Sequence, residues 1–187
     1  MIHAHTIQVI IGSTRAARIG PQVAAWVAEI GRRTVPANFD LVDLRDWPLP
    51  MDDEPGIPAT GAYTQPHTQA WGRQVAQASG FVFVTPQYNW GYPAALKNAL
   101  DHLYREWSGK PAVIVTYGGR GGDKCAGQLR QVLDGLHMRA MDTMPGLRIA
   151  RERIEANDGQ VDPAQDFAAA LPELDRAFAE LAAAMAP

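Results

Sequence analysis

The fold is decided by the stretch Phe81-Val-Phe-Val-Thr-Pro-Gln-Tyr-Asn-Trp-Gly-Tyr-Pro-Ala-Ala-Leu-Lys-Asn-Ala-Leu-Asp101. Its first four residues are apolar and predict a buried strand. A polar, aromatic loop follows over 85–92, and Pro93 then opens a helix, since proline is favoured in the first helical turn. In an open α/β sheet, ligands bind on loops beyond the carboxyl ends of the strands. The loop within this stretch is therefore a predicted ligand site.

The same strand, loop and helix order repeats along the chain. Further strands are predicted over Thr6–Gly12, Phe39–Leu44, Pro111–Tyr117 and Met138–Met144. Further helices are predicted over Pro21–Arg33, Gln65–Ser79, Lys124–His137 and, interrupted near Pro172, Pro163–Ala186. Alternating strands and helices with right-handed crossovers indicate an α/β three-layer sandwich. Five parallel strands suit the order 2-1-3-4-5 of the flavodoxin-like fold. Residues 145–162 receive no assignment, and the proline-rich segment 45–64 is predicted to be a long loop.

Composition narrows the class of protein. A chain of 187 residues favours one domain over 1–187. The net charge of −3 argues against a nucleic-acid binder. Cys125 is the only cysteine, so neither an internal disulfide nor a thiolate metal cluster is expected. No apolar run reaches the ~20 residues that span a bilayer, and the first residues lack a secretory signal, so a cytoplasmic protein is expected.

Two further loops are predicted at the same edge of the sheet as the loop over 85–92. The first, Gly12-Ser-Thr-Arg-Ala-Ala-Arg-Ile-Gly20, joins the first strand to the first helix. Helix N-termini accept phosphate, and Ser13, Arg15 and Arg18 add donors. The loop matches neither a Walker A motif nor Gly-x-Gly-x-x-Gly. A solvated surface loop is the competing interpretation.

The other two loops offer flat surfaces and close backbone approach. Tyr88, Trp90 and Tyr92 suit a planar heterocycle, although they also suit core packing or a subunit contact. Asn89 fits either a ligand role or a tight turn in the left-handed conformation. Tyr117-Gly-Gly-Arg-Gly-Gly122 lets backbone approach a ligand because glycine lacks a side chain, or is simply a flexible turn.

No catalytic side chain and no metal site is predicted. His3 and His5 lie near the chain end, while His67, His102 and His137 are scattered and lack ligand spacing. The carboxylates of segment 43–54 show no assignable acid and base pair. A Gly-x-Ser-x-Gly nucleophile elbow is also missing from the sequence.

With these loops in hand, the sequence resembles the NADPH-dependent FMN reductase family of flavodoxin-like reductases. Gly12-Ser-Thr-Arg15 resembles the family's Gly-Ser-x-Arg phosphate loop, and Tyr117-Gly-Gly119 its third flavin loop. Thr85-Pro-Gln-Tyr-Asn89 and Tyr92–Asp101 are similar to its Thr-Pro-Glu-Tyr-Asn and Tyr-Pro-x-x-Leu-Lys-Asn-x-Leu-Asp signature. Two departures are Gln87 in place of glutamate and Arg18-Ile19-Gly20 in place of Ser-Phe-Asn.

The resemblance implies a noncovalent FMN and an NAD(P)H-dependent oxidoreductase. The implied phosphate contacts are Ser13, Arg15, Arg18, Ile19 and Gly20. The implied ring contacts are Pro86, Gln87, Tyr88, Asn89, Trp90, Tyr117, Gly118 and Gly119. The flavin itself carries the hydride chemistry, in a ping-pong cycle that begins with NADPH or NADH.

The resemblance further implies a small-molecule electron acceptor, such as a flavin, quinone, azo dye or metal ion, and a homodimer or homotetramer. Helix Pro93–Tyr104 and loop Arg45–Thr64 are the interface candidates. A flavodoxin-like electron carrier and a flavoprotein dedicated to one biosynthetic step remain alternatives. The physiological acceptor, the NADPH or NADH preference and the roles of 45–64 and 145–162 stay open.

Overall fold

The computed structural model describes residues 5–186, and His3 of the His-x-His pair lies outside them. A parallel sheet forms the middle layer. Its strands are β1 Thr6–Ile11, β2 Asn38–Asp43, β3 Gly80–Pro86, β4 Pro111–Gly118, β5 Arg139–Ala140 and β6 Gly146–Arg148. The order is β2-β1-β3-β4-β5, with β6 also pairing with β4. The predicted flavodoxin-like sheet order is confirmed.

The described residues contain seven α-helices. They are α1 Gly20–Thr34, α2 Pro66–Ala76, α3 Ala94–Asp101, α4 Asp123–Gly135, α5 Arg151–Ala156, α6 Pro163–Asp166 and α7 Leu171–Met185. Short 3₁₀ turns lie at Leu44–Asp46 and Pro58–Thr60 in the long loop, and at Ala168–Ala170. The predicted helix over 163–186 is thus broken before Pro172, which lies in the first turn of α7. None of the helices within 5–186 has both the length and the apolar character that crossing a bilayer requires.

Alternation along the strands divides the core between the two faces of the sheet. On one face, Val82, Val84, Val113 and Val115 pack with α1 and α7. On the other, Phe81, Phe83 and Ile114 pack with α2, α3 and α4. Period-two alternation of fully buried side chains is what a parallel sheet covered on both sides requires.

The fifth strand position is divided in two. β5 pairs with Pro111 and Ala112 at the start of β4, while β6 pairs with residues 116–118 at its end. The strand predicted over Met138–Met144 is therefore wrong beyond Ala140. Beyond the sheet, Thr143 contacts α7, where Glu180 accepts hydrogen bonds from its backbone N–H and hydroxyl.

Candidate functional site

The three predicted loops meet at the carboxyl edge of the sheet and enclose a cavity of about 250 Å³. Residues of 13–19, 86–88 and 117–119 line three of its walls. The fourth wall is Ile149 and residues 153–161, the segment that the sequence left unassigned. The cavity therefore lies where an open α/β sheet binds ligands.

The loop after β1 presents unused backbone donors. None of the N–H groups of residues 13–20 donates to an acceptor within the part of the chain that the structure describes. Helix α1 starts at Gly20, so the positive end of its dipole adds to these amides. Free amides at the start of a 15-residue helix can bind an anion such as phosphate.

Tyr117 points its hydroxyl at this helix start. The side chain is only 4% exposed, and its hydroxyl has no hydrogen-bond partner among residues 5–186. A Cβ placed on Gly20 would lie 3.1 Å from this hydroxyl oxygen. Burial raises the pKa of Tyr117 well above its usual range, so the hydroxyl keeps its proton. A buried hydroxyl without a partner costs about 1–3 kcal/mol, so the Tyr117 hydroxyl is a donor that a ligand in the cavity can use.

Arg18 is engaged by the protein itself. Its guanidinium donates to both carboxylate oxygens of Asp43, at 2.7 and 2.6 Å, and also to the carbonyl of Ser13. The hydrogen bond to Asp43 is the main reason why the pKa of Arg18 is raised. Burial alone would raise the pKa of Asp43. The hydrogen bond from Arg18 acts in the opposite direction, and the pKa of Asp43 is lowered below its usual range. Arg18 lines the cavity and, through this pair, fixes the loop to the end of β2.

The loop after β3 places Tyr88 across the first loop. The Ser13 and Tyr88 hydroxyl oxygens are 3.0 Å apart, and the Arg15 guanidinium carbon lies 3.9 Å from the centroid of the Tyr88 ring. Tyr88 and Gly91 exchange backbone hydrogen bonds of 2.8 and 2.9 Å. Tyr88 therefore connects the loop after β3 to the loop after β1.

The turn between Tyr88 and Gly91 holds Asn89 and Trp90 at φ values of 48° and 71°. Two central residues with positive φ are the mark of a type I′ turn, which prefers Asn-Gly. A bulky residue is strained there. Trp90 is 67% exposed and does not line the cavity, nor do Asn89 and Gly20. The competing turn role of Asn89 is the one that its backbone adopts.

Gln87 connects the aromatic loop to helix α4. Its side-chain oxygen accepts a hydrogen bond of 3.1 Å from the backbone N–H of Cys125, in the first turn of α4. The residue before α4, Gly122, offers no side chain for capping. Gln87 therefore supplies the acceptor that this helix start otherwise lacks. Cys125 itself is fully buried, and burial raises the pKa of its thiol to about 12.

The third loop and the fourth wall touch each other. A Cβ on Gly118 would lie 3.6 Å from the Gln87 Cβ, and one on Gly119 would lie 3.2 Å from the Ile154 side chain. Ile154 belongs to α5 and is 49% exposed. The Cβ of a residue in place of Gly159, at φ 71°, would contact the Arg18 backbone nitrogen at 3.1 Å. The segment 149–161 thus spans the cavity from the third loop to the first, and only the Asn157-Asp-Gly159 turn hinted at it in the sequence.

The structure also brings together two histidines that are scattered in the sequence. The rings of His67 and His102 lie 5.8 Å apart between centroids, edge to face. Asp53 of the long loop lies beside His67. His137 is elsewhere, against Tyr104. This cluster is not part of the cavity wall.

Comparisons with known proteins identify related sequences and a related fold. The sequence model of the family described as NADPH-dependent FMN reductase matches residues 5–149. The chain is 56% identical over 176 residues to an NAD(P)H-dependent FMN reductase of Schizosaccharomyces pombe, covering 93% of this chain and 87% of that relative. It is 33% identical over 164 residues to a quinone reductase of Escherichia coli, covering 81% and 82%. The solved structure of FerB, a flavoenzyme NAD(P)H:(acceptor) oxidoreductase from Paracoccus denitrificans, has a TM-score of 0.71 at 20% identity, covering 96% and 97%. At that identity the likeness to FerB shows the fold alone.

Proposed function

Because this chain belongs to the NADPH-dependent FMN reductase family, we propose that the cavity between its three loops and the segment 149–161 is its FMN site. The protein is an NAD(P)H-dependent oxidoreductase with FMN as its cofactor. Bound FMN supplies the redox chemistry, since it accepts hydride from the nicotinamide and gives up electrons to an acceptor. One observation carries the site assignment. The backbone N–H groups of 13–20 and the Tyr117 hydroxyl have no acceptor or partner among residues 5–186, and they lie together beside this cavity.

The donors at the start of α1 fit the phosphate. The amides of 13–20, including those of Ile19 and Gly20, would bind its oxygens together with the hydroxyls of Ser13 and Tyr117. Arg15, exposed and above the Tyr88 ring, is free to add a charge-assisted contact. Arg18 acts mainly by holding the loop through Asp43, and it also lines the same cavity.

The loops after β3 and β4 fit a flat ring. They lie side by side, since Pro86 pairs with Tyr117, and residues 86–88 line the cavity together with Gly118 and Gly119. The two glycines lack side chains, so a planar group can lie against their backbone. The backbone N–H of Asn89 has no acceptor among residues 5–186 and is available for the polar edge of the ring. Gln87 is neutral, so it places no negative charge beside the ring, unlike the glutamate of the family signature that this loop resembles.

The fourth wall would contact the nicotinamide of NAD(P)H and the electron acceptor. Ile149, Ile154 and Val161 give it an apolar surface, and Arg153 gives it a cation at the cavity wall. No side chain is needed as acid or base, because hydride transfer belongs to the cofactor. Quinones, flavins and azo compounds are the acceptors that the proposal includes.

Self-association and location are proposals as well. Met51, Ile57 and Trp90 are exposed by 79%, 72% and 67%, on or beside the two predicted interface segments. Large exposed apolar side chains of this kind are typical of protein contacts, and a second copy of the chain is the proposed partner. We propose a homodimer with one domain per chain, 1–187, acting in the cytoplasm.

Absorption spectroscopy tests the function directly. Purified protein titrated with FMN should retain it, and NADPH or NADH should bleach the bound flavin without air. Arg15→Ala should weaken FMN retention by about 1.5–3 kcal/mol, the scale of a hydrogen bond to a charge. Protein that ignores FMN contradicts the proposal. Bleached protein that gives electrons only to another protein would support an electron carrier instead.

A further inference from the structure

Three potential metal ligands converge beneath the long loop, away from the FMN cavity. Asp53 comes from that loop, His67 from the first turn of α2 and His102 from the residue after α3. One ligand atom from each lies within 4.8 Å of the others. The three therefore come from separate segments that only the fold brings together.

His67 and Asp53 form the accessible half of the cluster. The His67 Nε2 is 2.8 Å from a carboxylate oxygen of Asp53, and their side chains are 29% and 37% exposed. Partial exposure gives an ion a route from solvent. It also leaves both side chains free to adjust by the ångström or so that coordination requires.

His102 is the buried half, and its hydrogen bonds fix its tautomer. The residue is fully buried, and its Nε2 lies 2.8 Å from the carbonyl oxygen of Pro50. A carbonyl only accepts, so Nε2 donates to it, and the lone pair of a neutral ring is then on Nδ1. Metal-binding histidines are commonly oriented by such a bond from the second ring nitrogen to a backbone carbonyl.

One competing contact occupies that lone pair. The Thr68 hydroxyl lies 3.1 Å from the His102 Nδ1. A hydroxyl proton rotates easily, so the contact opposes metal binding far less than a second fixed donor would. The cluster thus has one exchangeable polar neighbour, the Thr68 hydroxyl.

We propose that Asp53, His67 and His102 bind one divalent transition-metal ion of the zinc type, with water completing its coordination. Two imidazoles and a carboxylate suit zinc, whose bonds to such ligands are about 2.0–2.2 Å. The ion would join the long loop to α2 and α3. Asn98 already holds this loop through the carbonyls of Leu49 and Pro50, at 3.1 and 2.9 Å.

Cobalt(II) titration of metal-free, FMN-loaded protein tests the site, because four-coordinate cobalt absorbs visible light. The wild-type protein should take up one Co²⁺ per chain, and Zn²⁺ should displace it. His67→Asn and Asp53→Asn should each weaken binding at least tenfold. Retained FMN absorbance in these surface variants shows that the fold is intact. His102→Gln is a further test, since it removes the buried ligand.

Two variants serve as matched controls. His137→Asn changes an exposed histidine at φ 57°, a conformation that asparagine tolerates, and His5→Asn interrupts the terminal His-x-His pair. Both should bind cobalt like the wild type. Zn²⁺ should raise the Tm of the wild type and these controls but not that of His67→Asn. The proposal is overturned if wild-type protein binds no cobalt, if His67→Asn binds it equally well, or if His5→Asn alone abolishes binding.

Discussion

Replacement of Tyr117 by phenylalanine should change stability and FMN affinity in opposite directions. In the protein without ligand, the buried hydroxyl has no partner among residues 5–186. An unsatisfied buried polar group costs about 1–3 kcal/mol, so its removal should raise the free energy of unfolding by about 1 kcal/mol. The ring itself is kept, so packing against Val113 and Val115 on the same face of the sheet is preserved.

FMN binding should weaken in the same variant. The hydroxyl is neutral at pH 7 because burial raises the pKa of Tyr117. It would donate to the charged phosphate at the start of α1, and such a bond contributes about 1.5–3 kcal/mol. Since each 1.4 kcal/mol is a factor of ten, the dissociation constant should rise by about 10- to 150-fold.

Urea unfolding of the FMN-free protein and fluorescence titration with FMN measure the two effects. Tyr104→Phe is the matched control, because Tyr104 lies against His137 rather than the cavity. That control should leave FMN affinity unchanged. Equal FMN affinity in Tyr117→Phe and wild type would refute the role of the hydroxyl. A loss of stability in the FMN-free variant would refute the assignment of an unsatisfied group.

Three other substitutions give measurable outcomes. Asp43→Asn breaks the pair with Arg18 and should lower the free energy of unfolding at pH 7 by about 1.5–3 kcal/mol. Burial raises the pKa of Asp43, but the hydrogen bond from Arg18 lowers it below its usual range. The difference in stability should therefore be present above about pH 4 and vanish as the pH falls through the lowered pKa of Asp43. Urea unfolding of both proteins at each pH measures this. Gln87→Glu places a negative charge at the start of α4 and should raise the free energy of unfolding by about 0.3–1 kcal/mol. In a redox titration, the same charge should make the midpoint potential of the flavin more negative. An unchanged midpoint potential would contradict the placement of the ring. Trp90→Gly creates the Asn-Gly pair that a type I′ turn prefers. It should raise the free energy of unfolding of the monomer, measured by denaturant titration, by about 1 kcal/mol. Sedimentation should show weaker self-association if the exposed indole is an interface residue.

Local patterns were sufficient to predict the sheet order and the three loops. The apolar runs of β1, β3 and β4 are unambiguous, and a parallel sheet brings the loops after them to one edge. Period-two alternation also explains the position of Tyr117. It shares a face of the sheet with Val113 and Val115, so its side chain lies beside α1. This position follows from the sequence pattern alone.

Long-range contacts decide what the sequence did not predict. After the chain leaves the sheet at Ala140, Thr143 donates a hydrogen bond to Glu180, which lies 37 residues further along the sequence. The next strand, β6, has only three residues. Helix α5 has no buried residue, so no apolar stripe marks it. The meeting of His67 and His102 depends on how α2 and α3 pack, a relation that spacing along the chain does not contain.

The segment 149–161 lies largely outside the packed core. Its helix can therefore accept sequence changes that alter the mouth of the cavity while the sheet and both helical layers stay as they are. Under the proposed function, substitutions at these thirteen positions would change the acceptor preference with little loss of folding stability, whether they arise in evolution or in a mutant library.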